Sequence, residues 1–199
     1  MKRVFSCLLL LLCGLAFLGE AQAAANNSKV LVLPKPVITG GKPLMECLAG
    51  RQSNREISGQ PLSEQTLSNL LWAAWGINRA DGRRTAPTAK NNQEIQLYVV
   101  IESGVYLYNA AEPSLVLQVP QDLRSKFTGS PVTLLFAAPF AEMASGMHAG
   151  SMYQNAGLFC ASEGLANVVK TTGKDALQGV LKLPAGYEVL VVQYVGYPK

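Results

Sequence analysis

The sequence predicts an α+β fold in which a mixed central β-sheet is covered by helices. Three observations predict it. Apolar residues at helical spacing occupy 63–76, a β-rich hairpin pattern fills 95–109, and two apolar runs, Val132–Ala138 and Tyr187–Val195, flank a long apolar helical stretch. Strands and helices interleaved in this order, with a hairpin in the middle, suit one sheet with helices packed on it.

Each element has its own signal. Ser63 is a good N-cap, Glu64 stands in the first turn, and Leu67, Leu70, Leu71, Ala74 and Trp75 fall on one helical face before Gly76 closes the helix. Ile95–Glu102 (IQLYVVIE) is rich in β-branched and aromatic residues, and Ser103-Gly104 turns it into Val105–Asn109 as a hairpin. Val132–Ala138 (VTLLFAA) has the unbroken apolar character of a strand buried on both faces, halted by Pro139. Tyr153–Val169 is expected as a long helix in which Ala156, Gly157, Ala161 and Gly164 allow close approach of a neighbour, with a shorter helix at Asp175–Leu183. Tyr187–Val195 (YEVLVVQYV) closes the sheet as a central strand.

Residues 1–23 read as a signal peptide. Lys2 and Arg3 precede an apolar run from Val4 to Leu18, and Ala21-Gln22-Ala23 has the small-x-small cleavage pattern. The run is shorter than the ~20 apolar residues of a spanning helix, so the mature chain is expected to start at Ala24 and to be periplasmic or secreted. Residues 24–41, with Pro34, Pro36 and the Gly40-Gly41 pair, read as an extended arm. Residues 42–199 then form one domain with room for a sizeable core.

Composition excludes several functions. The formal charge is +4, and loss of Lys2, Arg3 and Glu20 with the signal lowers it by one to +3, with no basic run interleaved with aromatics; nucleic-acid binding is not expected. A single histidine, His148, rules out a multi-histidine metal centre. Cys47 and Cys160 remain after cleavage, widely separated and without metal-ligand spacing, and Cys160 lies in an apolar helix; buried structural thiols are expected rather than a disulfide. No Gly-rich phosphate loop of the G-x-G-x-x-G or G-K-[ST] type is present.

Polar residues concentrate instead in Arg51–Arg55, Arg83–Gln93 (RRTAPTAKNNQ) and Lys170–Gly173. In an extended segment, residues two apart point the same way, so Arg51, Ser53 and Arg55 would converge as an oxyanion clamp. Planar guanidinium groups bind phosphate oxygens in pairs. The pattern suits a phosphorylated polar cofactor better than nucleophilic catalysis.

Taken together, Arg51-x-Ser53-x-Arg55, Pro61-Leu62-Ser63, the helix ending Leu70-Leu71-Trp72-Ala73-Ala74-Trp75-Gly76-Ile77-Asn78-Arg79, and Arg84-Thr85-Ala86-Pro87-Thr88-Ala89 resemble the nitroreductase family, in particular the branch that includes the azoline (thiazole/oxazole) oxidases. Gly150-Ser151-Met152-Tyr153-Gln154-Asn155-Ala156 and the ending Val195-Gly196-Tyr197-Pro198 are similar to its second half. The resemblance implies a homodimeric FMN enzyme with a two-step redox cycle on small organic substrates. It assigns the FMN phosphate to Arg51, Ser53 and Arg55, with Lys199 as a further candidate. It assigns contacts to the flavin ring, reaching over from the second protomer, to the loop Pro87, Thr88, Ala89, Asn91 and Gln93. Lys170, Thr171 and Thr172 fall where the family presents main-chain N–H groups to flavin N5 and O4. His148 reads either as an exposed loop residue or as a candidate proton donor at the flavin face. A rival reading keeps the fold without the catalysis, as a binding or assembly protein of the cell envelope.

Overall fold

Strand and helix formation in residues 30–199, the part of the chain that the computed structural model describes, follows local chemistry closely. The predicted signal and the first residues of the arm lie outside these residues. The elements are β1 (Val30–Val32), α1 (Leu44–Gly50), α2 (Glu64–Trp75), β2 (Gln96–Ile101), β3 (Gly104–Asn109), β4 (Ser114–Val119), β5 (Val132–Pro139), α3 (Met143–Glu163), β6 (Ala166–Lys170) and β7 (Tyr187–Gly196).

One seven-stranded sheet runs in the order β1-β4-β3-β2-β5-β7-β6. Every ladder in it is antiparallel, where the sequence reading had expected a mixed sheet. The reason lies in the connections: β2, β3 and β4 form a meander through short turns, and β6 folds back beside β7 from the far end of α3.

Helix α2 starts where the sequence places it. The Ser63 hydroxyl accepts the Thr66 N–H at 3.0 Å, satisfying one of the free amides of the first turn. Leu67, Leu70, Leu71, Ala74 and Trp75 are buried. In the hairpin, Gly104 has φ +145 and an added Cβ would stand 2.4 Å from the Val119 carbonyl oxygen, so no other residue fits the turn. β4 was not expected, and it supplies the strand that β1 pairs with at the sheet edge.

Two elements differ from the sequence reading. The long helix runs from Met143 to Glu163 rather than from Tyr153 to Val169. It ends at Gly164, which takes a left-handed conformation (φ 69), while the Leu165 N–H closes onto the Cys160 carbonyl at 2.8 Å. The β-branched Val168 and Val169 then pair with β7 as a strand. The helix expected at Asp175–Leu183 is only a single turn of 3₁₀ helix, Lys174–Leu177, because Gly179 has φ +77 and Pro184 follows soon after.

The sheet has a core on each face. On one, Leu70, Leu71 and Trp75 of α2 and Met152 and Ala156 of α3 pack on Val99, Leu134, Phe136 and Val195. On the other, Leu123, Phe127, Leu177 and Leu181 from irregular segments cover Tyr98, Leu135, Val168 and Tyr194. β5 is buried on both faces, as its apolar run required. Among the described residues, no helix is long and apolar enough to cross a membrane.

Cys47 and Cys160 are free and buried. Burial pushes the Cys160 thiol well above its ordinary range, so it is protonated and unreactive at neutral pH. Thiol alkylation of the native protein will spare Cys160 and reach it only after unfolding; rapid native labelling mapped to Cys160 by peptide mass would contradict the packing.

Candidate cofactor site

Residues 51–58 are not a strand of the sheet, yet they run along its open edge. The Asn54 N–H donates to the Asn167 carbonyl (2.8 Å), the Ser58 N–H to Tyr197 (2.8 Å), and the Lys199 N–H to Glu56 (3.0 Å). These bonds tie the segment to β6 and to the chain end that follows β7. The alternation that would have brought Arg51 and Arg55 to one spot is therefore not kept, because the segment follows the edge rather than a regular pleat.

The two arginines lie in different surroundings. The Arg51 stem passes over α3 at Gly157, where an added Cβ would stand 3.7 Å from Arg51 Cδ and 3.6 Å from Asn167 Oδ1. Arg55 instead lines a cavity of about 130 Å³ together with Lys170 and Lys199. Val168 and Tyr194, which line the same cavity, belong to the core face away from the helices. Ser53 is exposed on the segment between them.

This small cavity gathers positive charge from three parts of the chain. Thr128, Ser130 and Tyr194 add hydroxyl groups to its wall. Lys170 Nζ stands 5.5 Å from the centre of the Tyr194 ring, and burial raises the pKa of that phenol, keeping it neutral. Glu56 Oε2 stands 3.9 Å from Lys199 Nζ in an exposed pair, which solvent screens. Thr171 and Thr172 follow β6 in exposed positions, and the chain turns at Gly173 (φ +84), where a Cβ would come 3.3 Å from the Tyr194 hydroxyl.

A second constellation surrounds the loop at Pro87–Gln93. Arg84 donates through Nη1 to the Trp75 carbonyl (2.9 Å) and through Nε to Gln93 Oε1 (2.7 Å), with its guanidinium 4.5 Å from the centre of the Trp75 ring. Burial lowers the Arg84 pKa. It also raises that of Tyr108 to about 12, an effect Arg84 partly offsets. Gln93 donates its amide to the Gly82 carbonyl and to Asn91 Oδ1, and its N–H to Thr88 Oγ1. Both ends of the Gln93 side chain are thus engaged within the protomer, holding the loop. Pro87, Ala89 and Asn91 face solvent.

His148 is not in a loop. It lies in the second turn of α3, with 7% of its surface exposed, and both ring nitrogens are bonded: Nε2 accepts the Ala89 N–H at 2.8 Å, and Nδ1 meets Glu94 Oε1 at 2.5 Å. An imidazole so engaged is not free to give a proton to a substrate. The Gly-flanked sequence around it suggested a loop, but Gly146 and Gly150 sit in the helix with no close backbone contact. Glu94 was missed because it is a lone acid at the end of a polar run; its proximity to His148 is visible only once α3 packs across the sheet.

Along α3, His148 and Gly157 are nine residues apart, about 13 Å of helix. The loop and Arg51 therefore occupy different stations within one protomer. No group of three or more His, Cys, Asp or Glu side chains able to hold a metal occurs among the described residues.

Comparison with known proteins gives a consistent result. The model of the nitroreductase family matches residues 48–197. A protein of Ralstonia eutropha JMP134 assigned to the nitroreductases has a crystal structure similar to this chain with a TM-score of 0.79 at 37% identity, covering 88% of this chain and 93% of that one. A protein of Methanocaldococcus jannaschii, also assigned to the nitroreductases, is 28% identical, with 63% of this chain and 76% of the relative covered. One from Desulfovibrio desulfuricans, crystallised in complex with FMN, shares the fold at 17% identity with a TM-score of 0.58, covering 80% of this chain and 88% of that one.

Proposed function

The chain belongs to the nitroreductase family, and on that premise we propose that it is an exported, homodimeric FMN-dependent oxidoreductase that passes electrons to or from a small organic substrate. The observation that carries the reading is the basic strip on the segment beside β6: Arg55, Lys170 and Lys199 around one cavity and Arg51 on the α3 side. A phosphorylated ligand fits such a set of cations, of which Lys199 alone meets a carboxylate, in an exposed pair with Glu56.

FMN, when bound, takes up two electrons from one substrate and gives them to another. The work of this chain's own residues is binding and orientation. Arg55 and Lys199 would hold the phosphate end from their shared cavity, Arg51 would add its charge from the α3 side, Ser53 would add a hydroxyl, and the main chain after Lys170 would meet the ring at Thr171 and Thr172. The loop at 87–93 supplies Asn91 to the ring of the neighbouring protomer. The exposed Leu44, Met45 and Leu48 of α1, apolar side chains that a partner would cover, support this sharing between subunits.

Substrate class divides the possibilities. The resemblance to the azoline oxidases points to direct oxidation of an organic substrate, which suits a compartment without nicotinamide cofactors. The test is to load the purified protein with FMN and follow electron exchange with NADPH plus a nitroaromatic or quinone, and separately with an azoline-containing peptide. Turnover with either establishes an oxidoreductase and chooses the branch. Bound flavin that exchanges electrons with none of them would favour the binding or assembly role.

A further inference from the structure

We infer that His148 and Glu94 are a positioning pair that sets the conformation of the 88–93 loop and so places its contact with the cofactor; the ligand's identity rests on the function proposed above. A main-chain N–H can bond only a ring nitrogen that carries no proton. Because the Ala89 N–H donates to Nε2, the neutral ring keeps its proton on Nδ1, where Glu94 Oε1 accepts it. Glu94 is itself fixed from two sides. The Ser145 hydroxyl lies 3.4 Å from the same Oε1, and the Tyr187 hydroxyl donates to the Glu94 main-chain carbonyl at 3.0 Å.

The loop needs such an anchor. Lys90, Asn91 and Gln93 have φ of 53, 57 and 50, a left-handed conformation that residues other than glycine seldom adopt, and here three of them occur within four positions. One end of this turn is held by Gln93, through Thr88 and Arg84. The other end is held by Ala89 on His148. Without the acceptor at Nε2, the Ala89 N–H loses its partner and the turn is free to relax, taking Asn91 with it. The imidazole acts through the loop rather than on the reacting atoms.

The chain contains one histidine, so ¹⁵N-histidine labelling of the protein without a histidine tag gives a single imidazole to observe. The expected result at neutral pH is the neutral Nδ1–H tautomer, with Nε2 unprotonated. An Nε2–H tautomer, or a charged ring, would overturn the inference whether or not FMN binds. Alongside it, FMN affinity is measured for the parent, His148→Ala and His148→Gln. Alanine is expected to weaken FMN binding about tenfold, the order of one lost buried hydrogen bond. Glutamine, whose amide oxygen can reach the Nε2 position, is expected to return it to within about threefold of the parent. Equal affinity for parent and alanine variant would sink the idea, as would an alanine loss that glutamine does not repair. If the parent itself bound no FMN, the proposed function would fail, and the tautomer measurement alone would still decide the clamp.

Discussion

Arg51→Ala combined with Arg55→Ala will weaken FMN binding by about 3–6 kcal/mol, since each charge-assisted hydrogen bond contributes roughly 1.5–3 kcal/mol. At ~1.4 kcal/mol per tenfold change, that is a loss of at least about a hundredfold. Quenching of FMN fluorescence on titration with protein measures it. Both side chains are on the exposed segment beside β6, which is held by main-chain bonds of Asn54, Ser58 and Lys199, so the fold survives the change. The single variants are expected to be unequal. Arg55 shares its cavity with Lys170 and Lys199, which remain to hold an anion there. Arg51 stands against α3, outside that cavity. An unchanged dissociation constant for the double variant would remove the phosphate assignment from this segment.

Gly196→Val should cost up to about 3 kcal/mol of stability through overpacking. Gly196 ends β7, and a Cβ there would stand 2.6 Å from Ile57 Cγ2 and 2.7 Å from Pro131 Cγ. Neither neighbour can withdraw freely. Ile57 bridges to Pro198, and Pro131 leads directly into β5. Relief must come from moving residues 54–58 off the sheet edge, so the same substitution should lower FMN affinity although it touches no cofactor-binding group. Chemical denaturation and FMN titration on one sample check both effects. A variant as stable as the parent would show that the segment is not packed as described.

How far the sequence reached depended on whether a feature was local. Ser63 and the apolar face of α2 lie within one helix, and the hairpin turn at Gly104 lies within six residues of both its strands, so propensity and spacing were enough. The start of α3 was misplaced because Gly146 and Gly150 weaken helical propensity, whereas packing of Ser145, Ala149 and Met152 against the sheet holds the first turns in place. β6 was mistaken for helix because its five residues continue the apolar run of α3, and only the left-handed Gly164 separates them.

The site divides in the same way. Charge and motif identified Arg51, Arg55 and Lys170 as candidate cofactor-binding groups. Their division between the two faces of the sheet edge was not legible, because residues 51–58 follow the edge of β6 instead of a regular strand. The bonding of His148 to Glu94 and Ala89 joins positions more than fifty residues apart, and nothing in spacing reports such a contact.

The central claim is that this chain binds FMN, and the visible absorption spectrum of purified residues 24–199 tests it most directly. The protein is mixed with FMN, passed through gel filtration to remove unbound flavin, and scanned before and after reduction. The account predicts that absorbance near ~450 nm stays with the protein, bleaches on reduction and returns on reoxidation. A colourless protein fraction, with all the flavin in the small-molecule volume, would contradict it.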